Sequence, residues 1–217
     1  MKALYTILLI NLIIVTNLHP QSFNDSTLYN PGIRLLEGST TMDDYKNAAS
    51  YFEQLASQNS EQWLALYYAG FSYIKASYKA QEDKLKDGLI DIAQPLIDKA
   101  LILKPEEPEL QVLQAFLYQA RIQVNPEMRG LNYSLKADGI LKKAVAADPV
   151  NPRAWSLMAF NIYYTPTAFG GGAKNALPVF IKAKEKFLSF SPLLPFMPTW
   201  GEPENQQMIV KCKKVIK

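Results

Sequence analysis

The chain has 217 residues, 48% of them apolar, with a formal net charge of +3, one cysteine and one histidine. That is enough for one globular domain with a sizeable core. The charge is too small for a protein that tracks nucleic-acid phosphates, and a lone Cys212 allows neither an internal disulfide framework nor a thiolate metal cluster.

Met1 and Lys2 form a short positive start, and residues 3–16 follow as an apolar run. The run has the length of a signal-peptide core and falls short of the roughly 20 residues a membrane span needs. Residues 1–22 therefore read as a secretory signal, cleaved near residues 20–22 although no Ala-x-Ala pattern is present. No cysteine follows the run, so a lipoprotein anchor is not expected. The expectation is a periplasmic or secreted protein with no membrane span after cleavage. Cleavage would also remove His19, leaving no imidazole for a triad, a metal site or acid–base work.

Residues 23–217 read as a single helical domain. Strand alternation is scarce, and apolar residues recur at three- and four-residue spacing. Within residues 28–38, Asn30-Pro31-Gly32 is expected to interrupt a helix and leave a truncated capping element. Two sequence units then alternate. One reads small-Phe-x-(Tyr or Ile), at Gly70-Phe71-Ser72-Tyr73, Ala115-Phe116-Leu117-Tyr118 and Ala159-Phe160-Asn161-Ile162. The other reads Ala-x3-apolar-x2-(Ala or Leu), at Ala48/Phe52/Leu55, Ala93/Ile97/Ala100, Ala137/Leu141/Ala144 and Ala176/Phe180/Ala183. Pro105 and Pro149 close two copies of the second unit, where a missing N–H and a clash with the preceding turn stop a helix. The physical reading is a repeated helix pair: small residues let two backbones approach, and a bulky residue one turn on fills the groove beside them. Each pair leaves an apolar face that the next pair buries.

These residues resemble the tetratricopeptide repeat (TPR) family, whose pattern is Trp-x2-Leu-Gly-x2-Tyr, then Ala-x3-Phe, then Pro. Leu66-x2-Ala69-Gly70-x2-Tyr73 matches well, Trp155-x2-Met158-Ala159-x2-Ile162 moderately, and Gln111-x2-Gln114-Ala115-x2-Tyr118 is a degenerate copy. The spacing of the phenylalanine unit is about 44–45 residues rather than the family's roughly 34. The extra residues fall at 75–86 and 122–133, as longer helices or longer connections. The resemblance implies an all-α, right-handed stack of antiparallel helix pairs, an α-solenoid of about three to four repeats plus a C-terminal helix.

Past the third phenylalanine unit, Gly170-Gly171-Gly172-Ala173-Lys174-Asn175 lacks the spacing and the Ser/Thr of a phosphate-binding loop and follows a helix, so it reads as a turn between helices or a rim over the groove. Residues 191–203 hold Pro192, Pro195, Pro198 and Pro203 with Phe196 and Trp200, and are expected to lie extended against the last helix pair. A final helix is expected over 204–216. It carries Lys211, Lys213, Lys214 and Lys217, whose charge suits the negative end of the helix dipole. Cys212 reads as an incidental thiol, with oxidative dimerisation as the sharper alternative. The acidic pairs Asp43-Asp44 and Glu106-Glu107 read as helix-start and turn residues.

No catalytic constellation emerges, and neither a metal nor a cofactor site is expected. In TPR proteins the concave groove is lined by first-helix positions just after the small residue. The resemblance therefore implies a partner-binding surface at Tyr67, Phe71, Phe116, Gln119, Arg153, Phe160 and Tyr163. Tyr67, Arg153 and Tyr163 are expected to be the exposed members, because each has a polar end. The leading expectation is an exported, non-enzymatic module that binds a protein or peptide segment. The alternatives are a ligand-binding accessory similar to the T-component of TRAP transporters and, less favoured, a carboxylate-only hydrolase.

Overall fold

The computed structural model describes residues 26–58 and 61–217. The expected signal and His19 lie outside them. The described residues form nine α-helices, one short 3-10 turn and no strand. The helices are α1 (Ser26–Gly38), α2 (Met42–Gln58), α3 (Trp63–Ser77), α4 (Asp83–Leu103), α5 (Pro108–Val124), α6 (Pro126–Ala147), α7 (Pro152–Tyr164), α8 (Ala173–Ser189) and α9 (Glu202–Ile216).

The boundaries follow from the punctuation. Pro108, Pro126 and Pro152 each open a helix, where a missing N–H costs nothing. Side chains complete the starts: Asn151 accepts from the backbone N–H of Arg153 and Ala154, and Asn125 from that of Met128. At the start of α2, Asp44 accepts from the N–H of Thr40 and Thr41, and its own N–H donates to Thr41 Oγ1 at 3.2 Å. This reciprocal pair is a capping box. It holds the Asp44 carboxyl down at about pKa 2, chiefly through the Thr41 backbone hydrogen bond. α4 and α6 stop before Pro105 and Pro149, as expected.

Consecutive helices pack as α1/α2, α3/α4, α5/α6 and α7/α8, and the first helix α5 also touches α3 on one side and α7 on the other. The fold is a TPR-like stack of helix pairs closed by α9, which packs on α8. The long repeat is absorbed as helix, since α4 and α6 run to 21 and 22 residues. Close approach explains the small residues. A side chain at Gly70 would meet Ile97 Cγ1 at 3.1 Å, so a methyl group there already crowds α4. Ala48, Ala93, Ala137 and Ala176 are fully buried, as the repeat requires.

Two expectations need correction, and the alternative reading of Cys212 is disfavoured. Pro31 does not interrupt α1; the helix runs through it from Ser26 to Gly38. Cys212 is fully buried beside Met208 and Ile209 in the α7–α8–α9 core, so its thiol is not placed for an intermolecular disulfide. Burial also pushes its pKa up, against a smaller downward pull from Lys211. The second correction concerns residues 191–201, which do not stay on the last helix pair. They cross the stack to its first helices: Phe196 stacks on Tyr29 of α1 at 4.9 Å, and the Tyr68 hydroxyl of α3 donates to the Phe196 carbonyl at 2.7 Å.

Candidate ligand-binding groove

The repeated phenylalanine position builds the inner face of the stack. Phe71 and Phe116, from neighbouring first helices, lie 5.9 Å apart between ring centroids. Trp200, delivered by the crossing segment, sits 5.0 Å from Phe71 and 5.4 Å from Phe116, closing a triangle of rings. Gly201 follows Trp200 with φ 106°, in the left-handed region, and turns the chain into α9.

On the side of the triangle nearest the helix N-termini the groove is filled. Trp200 Nε1 donates to the Tyr67 hydroxyl at 2.8 Å. Tyr67 in turn points at Glu109 Oε2, 3.5 Å away. Glu109 is held by Arg153, through Nε at 3.0 Å and Nη2 at 2.5 Å, and by Asn151 Nδ2 at 2.5 Å. Arg153 and Glu109 are 1% and 5% exposed, so this is a buried ion pair tying α5 to α7. Burial works against the Arg153 charge, but Glu109 wins and leaves its pKa raised. The guanidinium also lies 4.5 Å from the Phe190 ring, and its Nη1 is buried without a hydrogen-bond partner. Tyr67 is driven far up by burial, with the Glu109 charge adding to the effect.

On the other side, at the C-terminal ends of the first helices, the face is open. Tyr78 stacks on Phe116 at 5.6 Å, so Phe116 is sandwiched between Tyr78 and Trp200. Tyr78 is 42% exposed, and desolvation of its ring pushes its pKa up, with Tyr164 adding to the push. Tyr164 is 68% exposed and stands edge-on to Tyr163 at 5.0 Å. Lys211 of α9 covers both, 5.0 Å from Tyr163 and 5.8 Å from Tyr164. This open half therefore offers aromatic faces beside an exposed ammonium charge.

The expected groove residues divide between these halves. Tyr67, Phe71 and Arg153 are buried at 0%, 4% and 1%, which corrects the expectation of exposed polar ends for Tyr67 and Arg153. Their polar ends find partners inside the protein because the crossing segment covers them. Gln119 is half-buried and donates to the Leu157 carbonyl at 2.8 Å, bracing α5 against α7. Phe160 turns toward α8, edge-on to Phe180 at 5.2 Å. Phe116 and Tyr163 are half-buried and border the open half.

Sequence reading passed over Trp200, Tyr78, Tyr164, Lys211 and Glu109. Glu109 and Arg153 each follow an N1 proline and are 44 residues apart, one repeat. Opposite charges in one register of adjacent first helices were a usable signal. Trp200 had none, because it comes from outside the repeat.

A shallow hollow of about 510 Å³ near the α3–α4 turn, lined by Met42, Lys79 and Leu85 among others, includes none of these aromatic residues and opens widely to solvent. Among the described residues no group of three His, Cys, Asp or Glu side chains is placed to hold a metal.

No protein-family profile matches this sequence, and no curated protein sequence does. Solved structures do. The chain is 28% identical to the HusA haemophore from Porphyromonas gingivalis, over 88% of this chain and 94% of that one, with a TM-score of 0.78. It is 18% identical to a MamA RS-1 double mutant over 78% of each chain, with a TM-score of 0.46. It is 17% identical to TTC0263, a thermophilic TPR protein of Thermus thermophilus, over 88% of this chain and 97% of that one, with a TM-score of 0.44.

Proposed function

We propose that this protein is an exported, non-enzymatic carrier whose open half-groove takes a flat, largely apolar ligand of the haem or tetrapyrrole class. The observation that carries the reading is a row of aromatic side chains at the C-terminal ends of the first helices: the exposed Tyr78 stacked on the half-buried Phe116, and the exposed Tyr164 with Lys211 over it. Aromatic faces suit a planar macrocycle, and a lysine at the rim suits its carboxylates. The likeness to a haemophore over nearly the full length of both chains supports the ligand class. The described residues include no histidine, so stacking rather than imidazole ligation supplies the affinity. Residues 1–16, with their positive start and apolar run, support export.

Titration of the purified protein with hemin and with metal-free protoporphyrin, followed by the Soret band and by fluorescence quenching, tests this. Binding of both within a few-fold of each other is the expected result. Absence of saturable binding of either in the micromolar range would overturn the reading. The mass of the exported protein tests the export step: a start near residues 20–22 is expected, and a start at Met1 contradicts it.

A protein partner is the second reading, and one observation favours it. Met128, Leu131 and Leu135 are 81%, 77% and 63% exposed along one face of α6, at the spacing a partner helix reads. Replacing all three by Ser should abolish cross-linking to such a partner while leaving porphyrin binding intact; unchanged cross-linking removes this reading.

A further inference from the structure

Charge is unevenly distributed along the stack. Residues 26–172, which contain α1–α7, hold fourteen Lys and Arg against sixteen Asp and Glu. Residues 173–217, which contain α8 and α9, hold eight Lys against three Glu. Ion pairing is equally uneven. Lys46, Lys75, Lys86, Arg121, Arg129, Lys142 and Arg153 are all paired, and all lie in α2–α7. Among the described residues, no lysine of α8 or α9 makes an ion pair, while Lys174, Lys184, Lys213, Lys214 and Lys217 are solvent-exposed. Exposed apolar side chains sit among them: Leu188 at 72%, Val210 at 46%, Val215 at 64% and Ile216 at 45%.

We infer that the α8–α9 end of the stack is a docking surface for an anionic lipid bilayer. The lysines of α8 and α9 meet the negative headgroups, while residues 26–172 carry a slight acidic excess and add little attraction of their own. Two features favour lipid over an acidic protein. All eight charges are lysines, with no arginine. Lysine is a strongly hydrated point charge suited to laterally mobile phosphates, whereas fixed carboxylates in an interface are matched by the arginine fork. The apolar side chains lie beside the lysines, the composition of a helix face that rests in the headgroup boundary. None of the described helices is long and apolar enough to cross the membrane, so contact stays at the surface. Lys211, which borders the open half-groove, belongs to the same end, so docking brings the groove mouth to the lipid.

Co-sedimentation with vesicles tests this on the porphyrin-free protein, independently of the ligand reading. At about 50 mM salt, where screening is weak, vesicles of phosphatidylglycerol and phosphatidylcholine in about a 1:2 ratio should bind at least about tenfold tighter than phosphatidylcholine alone. Salt at about 500 mM should remove the difference. Replacing Lys184, Lys213, Lys214 and Lys217 by Gln should abolish the preference with helix content unchanged by circular dichroism. A control removing Lys84, Lys99, Lys104 and Lys143 instead, all exposed on or next to other helices, should retain it. Equal binding to both vesicle types overturns the proposal, as does equal loss in the two variants. Retention by soluble polyglutamate but not by anionic vesicles would assign the face to an acidic protein and likewise overturn it.

Discussion

One ring position, repeated in α3 and α5, serves two halves of the concave face that end in opposite states. Toward the helix N-termini, Phe71 and Tyr67 lie under a segment that returns from the far end of the stack. Toward the C-termini, the other face of Phe116 carries only Tyr78, and Tyr164 stands open nearby. The first half is a core with a buried ion pair; the second is a surface with aromatic faces. The difference teaches that the repeat alone does not decide what binds. The non-repeated segment at 191–201 closes one half and leaves the other.

Stability should therefore concentrate in the closed half and ligand binding in the open one. The largest effect is expected from splitting the ion pair. Arg153→Ala leaves Glu109 buried without its charge partner and should cost about 3–5 kcal/mol by chemical denaturation. Glu109→Leu with Arg153→Met should recover most of that loss, since an apolar pair leaves no orphaned charge. A double variant as unstable as the single would show that Asn151 and Tyr67, not the ion pair, dominate the network.

Next comes the crossing segment. Phe196 is 2% exposed, and Phe196→Ala should cost about 3–5 kcal/mol, with faster amide exchange in α1 and α3 as well as in the segment itself. In an unbraced stack each pair contacts only its neighbours. Faster exchange confined to residues 190–201 would show that the segment does not brace the first helices.

The open half should behave in the reverse way. Tyr78→Ala with Tyr164→Ala should lose about 0.5–1.5 kcal/mol of stacking per ring contact, or about tenfold in porphyrin Kd for the pair. Loss of the exposed Tyr164 ring should cost stability little. A large loss of stability with unchanged affinity would reverse the assignment of the two halves.

The smallest effect lies outside the groove, at Asp44. Its folded pKa of about 2 is below the ordinary 3.8, so its contribution is fully present above about pH 4 and is lost as the pH falls toward 2. Asp44→Asn should flatten that part of the acid limb of a thermal-melt series and leave the neutral-pH groove unchanged. An acid limb identical to the parent would discount the capping box.

Much of the fold could be read from the sequence because it rests on local chemistry. Alanines at fixed spacing, prolines that open and close helices, and recurring Phe71, Phe116 and Phe160 all express the helix pair within one repeat. The groove was readable only in part. Its rings lie on the repeat, so Phe116 and Tyr163 could be placed at its edge. The polar end of Tyr67 is met by Trp200, more than 130 residues away in the chain, and no periodicity encodes that contact. Pro31 was misread for a related reason: packing of α1 against α2 is a tertiary contact that outweighs a local breaker.

The central claim is that the open half binds and the closed half holds. Amide exchange measured with and without saturating protoporphyrin tests it most directly. Protection over residues 76–80, 116–123 and 161–166 and at Lys211, with the Tyr67–Glu109–Arg153 network unchanged, is the predicted result. Protection confined to residues 190–201, or absent from the concave face altogether, would contradict it.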